Sequence, residues 1–154
     1  MALNAHQKII ADDVNYRLNS VQERGLVCAV SSTAGECEVA ANPSGVTAAG
    51  ILLMDVVLTG RPSNLDSDSS LDTGTATTQR NMNKNETHKG GVVRLARKGE
   101  LVTDQVTGAI AAGDALYLAA SGIISATQAT GAPQIGFAID AKDGDGFVKL
   151  FLDV

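Results

Sequence analysis

Short apolar runs separated by glycine-marked turns dominate the chain. Glycines fall at 25, 35, 45, 50 and 60 and again at 90, 91, 99, 108, 113, 122, 131, 136, 144 and 146, and stretches rich in Val, Ile, Leu and Ala lie between them. Turn signals at this rhythm between short β-type runs predict an all-β fold, a small antiparallel sandwich or barrel. The pattern is clearest near the C-terminus. In PQIGFAID, Ile135, Phe137 and Ile139 alternate with Gln134, Gly136 and Asp140, the period of a half-buried strand. AKDGDGFVKLFL follows, and its Asp-Gly steps at 143–144 and 145–146 suit a type I′ turn, so 134–140 and 147–152 predict a hairpin. Upstream, GVVRLAR, ELVT, DALYLA and GIISA read as further strands, with turns at AAGD (111–114) and ASG (120–122).

The N-terminal half is less regular. Residues 26–31 and 36–41 predict one more hairpin, and ILLMDVVL (51–58) is apolar enough for a strand covered on both faces. Asp55 interrupts that run and is expected at an edge or beside an arginine. In residues 1–24, Ile10, Val14, Leu18 and Val21 suit one helical face, whereas Val14, Tyr16 and Leu18 alternate. The segment reads as an N-terminal arm, either extended or a short helix. The predicted organisation is thus an arm over 1–24 and a single β domain over 25–154, interrupted by a polar loop at 61–89. That insertion contains one glycine, no aromatic residue and three large apolar side chains, Leu65, Leu71 and Met82. A segment this long without a pattern of its own is expected to be functional or mobile.

Composition narrows the function classes. The chain is 44% hydrophobic, too much for a disordered protein, and its 16 glycines lack the collagen period. No apolar run approaches the ~20 residues needed to cross a bilayer, so no membrane partner is expected. MALNAHQKIIADDV has no apolar core behind a basic start, unlike a signal peptide. A net charge of -5 and only five aromatic residues argue against a nucleic-acid surface.

The residues that could do chemistry form no constellation. Cys28 and Cys37 match no zinc spacing and are expected to be two buried thiols of a protein made in a reducing compartment. Counting a calcium loop from Asp66 puts Leu71 where the glycine belongs and Thr77 where the bidentate glutamate belongs. His6 and His88 are the only histidines, no nucleophile elbow, phosphate loop or dinucleotide fingerprint occurs, and no cofactor is expected. One charged feature remains. Arg80, Lys84, Lys89, Arg94, Arg97 and Lys98 lie within 19 residues and hold half of the chain's Lys and Arg. They are either an ordinary outward strand face or a contact for an acidic protein surface.

The succession NPSG (42–45), GILLMDVV (50–57), HKGGVVRLARKGELVTDQVTG (88–108), AGDALYLAASGIIS (112–125) and IGFAIDAKDGDGFVKLFLDV (135–154) resembles the capsid decoration, or cement, proteins of tailed bacteriophages. The resemblance covers roughly residues 40–154, and the polar 61–79 segment departs from it. It implies a non-enzymatic virion protein, made in the host cytoplasm, that adds to the outside of a capsid as an oligomer, usually a trimer, and bridges subunits of the major capsid protein. On that reading the capsid contacts are Tyr16 and Arg17 of the arm, the polar loop, and the basic residues Arg80, Lys84, Lys89, Arg94, Arg97 and Lys98. Ile51, Leu53, Met54 and Val56 are the expected face between copies. A tail- or fibre-associated β domain and a small barrel that binds a small molecule or a glycan remain the alternatives.

Overall fold

A computed structural model of the protein describes residues 8–57 and 86–154. These residues form twelve strands: β1 (Lys8–Leu18), β2 (Val27–Val30), β3 (Glu36–Glu38), β4 (Ala48–Leu52), β5 (Asp55–Val57), β6 (Glu86–His88), β7 (Val92–Thr103), β8 (Val106–Thr107), β9 (Ala115–Leu118), β10 (Ile124–Ser125), β11 (Gln134–Ala138) and β12 (Val148–Asp153). The all-β expectation holds. Ten strands join one mixed sheet and β5 pairs with β6 in a second. The sheet is not purely antiparallel, because β1 runs parallel to β3 and β10 parallel to β8, each for two residue pairs.

The long strand β7 organises the molecule. Its first half lies between β1 and β4, with Ala96 opposite Asp12 and Ile51. Its second half pairs with β12 from Lys98 to Thr103. The runs GVVRLAR and ELVT are therefore one continuous strand. Strand β1 pairs with β3 as well as β7, so the pairings β1–β3–β2–β4–β7 lead back to β1.

Alternation along β2, β4 and β7 explains where the core sits. Val27, Ile51 and Ala96 point into one apolar cluster with Leu101, Leu116, Leu118, Ile124, Ile135, Val148, Leu150 and Leu152. Their neighbours Cys28, Leu52 and Leu95 point the other way, into a second cluster with Leu18, Cys37, Val56 and Val93. Successive residues of a strand face opposite sides, so this central sheet is buried on both. That is the environment expected of the run at 51–58. The run breaks at Leu53 and Met54 into β4 and β5, however, and Asp55 accepts a hydrogen bond from the backbone N–H of Arg24 at 2.8 Å beside that residue's guanidinium.

Residues 8–18 form a strand, not a helix, and they are part of the sheet rather than a free arm. Ile9 packs against the first cluster, whereas Tyr16 and Leu18 belong with the second. Three register shifts against β7 let one strand serve both. Because of these shifts neither the helical nor the strictly alternating reading describes it. Ile10 and Val14 are left more than half exposed. Where β1 passes β7 at Gly99, with φ +147°, a Cβ would collide with the Lys8 carbonyl oxygen and sit 2.9 Å from Ile9 Cα. Only glycine suits that backbone and that gap.

The two predicted hairpins form. Val30 pairs with Cys37 in the first, and Phe137 with Phe151 in the second. The turn of the second is not type I′. Its loop spans several residues, and Asp143 Oδ1 accepts the backbone N–H groups of Asp145 (3.0 Å) and Phe147 (2.8 Å). Strand β11 also departs from simple alternation. Its register to β9 shifts between Gln134 and Gly136, so Ile135 and Ala138 face the core while Phe137 faces outward. A bulge inverts the side-chain parity on either side of it.

Candidate functional site

The basic residues of β7 do not form an open cationic face. Each is matched by a carboxylate brought in from a neighbouring strand. Arg94 Nε lies 2.5 Å from Asp12 Oδ2, and Arg97 Nη1 lies 3.9 Å from Asp13 Oδ2, both across the β1–β7 pairing. Lys98 Nζ reaches Asp153 of β12 at 3.1 Å. The local origin is the register, which sets Asp12 opposite Ala96 and Asp13 opposite Leu95, within reach of the flanking arginines. The Arg94–Asp12 and Lys98–Asp153 pairs are exposed and add little to stability, whereas the Asp13 side chain is largely covered; all three pairs cancel local charge. An open depression of about 440 Å³ beside them is lined by Asp12, Asp13, Arg97, Lys98 and Asp153.

The other expected contact residues separate. Arg17 and Lys89 are exposed, and Tyr16 is half-buried against the second cluster. Arg80 and Lys84 lie outside the described residues, as does the loop 61–89 except for its last four positions. The face expected between copies is corrected by burial. Ile51 and Val56 are 0% and 1% exposed and belong to different core clusters, so neither side chain is left for a partner. Leu53 and Met54 are half-buried, packed against the first and second clusters respectively. An apolar run covered on both faces fills the interior of its own chain before it can serve another.

Sequence reasoning missed a different surface. On the outward side of β9, β11 and β12 stand Tyr117, Phe137 and Phe151, three of the five aromatic residues of the chain. The Phe137 and Phe151 rings stack with centroids 5.5 Å apart and planes inclined by 23°. Beside them Lys149 Nζ pairs with Glu100 Oε2 at 3.5 Å. Alternation in ALYL and VKLFLD points Tyr117 and Phe151 outward, and that signal was readable. The bulge before Gly136 hid Phe137, which the alternation of PQIGFAID assigns to the face of Ile135.

Both cysteines are free and buried, and they lie on adjacent strands β2 and β3. The Cys28 thiol donates to Cys37, which together with burial raises the Cys28 pKa well above the ordinary thiol value, while accepting that bond lowers Cys37. His88 is exposed on β6, and His6 lies outside the described residues. Among the described residues no three His, Cys, Asp or Glu side chains gather to hold a metal ion. No helix among them is long and apolar enough to cross a membrane.

The described residues thus form a doubly packed β domain with paired strand charges and outward aromatic side chains. The family model described as phage cement protein matches residues 38–151, most of the chain, and the chain belongs to that family. A search of curated proteins finds no match. The protein is thus a structural, non-enzymatic component of the bacteriophage virion, associated with capsid stabilisation.

Proposed function

We propose that the protein binds the outer surface of a phage capsid as a homo-oligomer, a trimer on the family resemblance, and stabilises the shell by bridging neighbouring subunits of the major capsid protein after synthesis in the host cytoplasm. The observation that carries this reading is the cement-protein match over residues 38–151. Its physical basis is avidity: modest contacts repeated on one rigid oligomer make each later binding event intramolecular. The capsid contacts assigned on this reading are the exposed Arg17 and Lys89, the neighbouring Tyr16, and the polar segment 61–79 with Arg80 and Lys84. Arg94, Arg97 and Lys98 act there as members of ion pairs rather than as free cations. Adding the purified protein to expanded capsids that lack it tests the proposal. Saturable co-sedimentation and a raised temperature of capsid disruption are expected. Failure to co-sediment, or binding without any gain in capsid stability, overturns it.

A further inference from the structure

Strands β2 and β3 bring the chain's two cysteines to one face of one hairpin. Val30 stands opposite Cys37 and Ala29 opposite Glu38, which sets Cys28 opposite Val39 and diagonal to Cys37. Both side chains point into the second cluster, at 0% and 3% exposure. Its other buried members, Leu18, Ala49, Leu52, Val56, Val93 and Leu95, are hydrocarbon and offer a thiol nothing to bond. The two sulfurs therefore meet each other, with Cys28 as donor and Cys37 as acceptor. Their surroundings differ. Cys28 lies on β2, which is held between β3 and β4. Cys37 lies on the three-residue β3, between half-buried Glu36 and exposed Glu38, and β3 pairs with β1 over only two residues. So short a strand opens locally more readily than the core, and a molecule the size of water reaches Cys37 first.

We infer that Cys28 and Cys37 form a reversible oxidation site: hydrogen peroxide oxidises Cys37, and Cys28 then closes a disulfide within the hairpin. Cys37 gives up its proton, and its sulfur attacks one peroxide oxygen and breaks the O–O bond. That oxygen stays on sulfur as a sulfenic acid, while the other leaves with the released proton as water. The Cys28 sulfur then displaces the hydroxyl group from Cys37 and forms the S–S bond, and the Cys28 proton departs with that hydroxyl as a second water. Two electrons pass from the thiol pair to the peroxide. Accepting a hydrogen bond lowers the Cys37 pKa, which favours the attacking thiolate, and the same bond aims the Cys28 proton toward the sulfur that the hydroxyl leaves. Diagonal partners stand further apart than directly opposite ones, and a disulfide tolerates only a narrow range of spacings. Closure thus pulls β3 against β2 and makes the bond one that a thiol reopens. A virion component passes from the interior of a cell to the medium, so the pair meets both a reducing and an oxidising setting. The chemistry belongs to the single chain and does not depend on how the protein sits on a capsid.

Mass spectrometry of the full-length protein tests the inference. Reduced wild type, freed of reductant, is pulsed with hydrogen peroxide, alkylated and weighed intact. It is expected to lose both free thiols together, to drop by the mass of two hydrogens and to yield a linked peptide pair containing Cys28 and Cys37. Reduced glutathione added to the folded protein is expected to restore both thiols. Cys28→Ala, with circular dichroism as the check on its fold, is expected to stop at the sulfenic acid, which dimedone traps on Cys37. Retention of both thiols while free cysteine in the same solution is consumed overturns the inference. So does stepwise addition of oxygen without an S–S bond, a disulfide between copies, closure only when urea unfolds the chain, or a bond that glutathione does not reopen. Each of these outcomes is read on wild type, so a variant that fails to fold leaves the test intact.

Discussion

The Asp12 carboxylate lies 2.5 Å from Arg94 Nε, joining residues 82 positions apart in the chain. Together with Asp13 beside Arg97, it turns the arginines of the basic run that lie on β7 into a neutral seam between β1 and β7. The charge run at 80–98 is a fact of the sequence, but its potential depends on what the register places next to it.

Removing those carboxylates should expose the cations. An Asp12→Asn, Asp13→Asn variant is expected to elute from a sulfated polysaccharide column at higher salt than wild type. The control is Asp140→Asn with Asp145→Asn, which makes the same change in net charge at two exposed positions away from the seam. The stability lost with the Arg94–Asp12 pair should stay under about 1 kcal/mol, because both its side chains are exposed. Identical elution of the two double variants would show that the seam does not mask the arginines.

The double-sided burial of β4 makes adjacent residues answer to different cores. Ile51 is enclosed by the first cluster and Leu52 by the second, both at 0% exposure. Ile51→Ala and Leu52→Ala should each cost about 2–5 kcal/mol, the range for emptying a packed site. Urea denaturation reads this directly. A loss below about 1 kcal/mol at either position would mean that its cluster can collapse around the missing atoms.

How far these features were legible in the sequence depended on whether they were local. The turn rhythm, the hairpins 26–41 and 134–152 and the double coverage of the strand through Ile51 and Leu52 follow from glycine placement and side-chain alternation, which act over a few residues. The role of β1 does not, because its three register shifts arise from packing against β7 and break any fixed period. Phe137 was assigned to the wrong face for the same reason: a single bulge at Ile135 reverses the parity on which the assignment rests. The neutralised basic strand needed the pairing of β1 with β7, a contact across more than 80 residues that charge spacing does not encode. Ile51 and Val56 were apolar enough for an interface, but apolarity alone does not say which chain covers a side chain.

The two thiols should differ in reactivity despite sharing one cluster. Alkylation requires the thiolate, and Cys28 holds its proton by donating it to Cys37 in a buried site. Native protein pulsed with iodoacetamide across the neutral to alkaline range should be labelled at Cys37 first, as read by peptide mass. For stability the sign follows the raised Cys28 pKa. Its contribution is complete below the ordinary thiol pKa and is lost as pH rises through the raised value, so Cys28→Ala should flatten the alkaline fall in stability. Earlier labelling at Cys28 would contradict the assigned hydrogen-bond direction.

Gly99 carries the seam between β1 and β7 on its backbone. At φ +147°, with the Lys8 carbonyl and Ile9 Cα already in the space of a Cβ, alanine meets two penalties: a disfavoured conformation, and a clash that can be relieved only by moving β1. Gly99→Ala should therefore cost about 1–3 kcal/mol or more. Its effect should also be local. Amide exchange should rise along residues 8–16, which pair with β7, while Leu101, Leu150 and Leu152 stay protected by the β7–β12 pairing and the first cluster. Uniform acceleration of exchange across both regions would instead make β1 a full member of one cooperative unit, and an unchanged pattern would show that the strand can shift without losing its pairing.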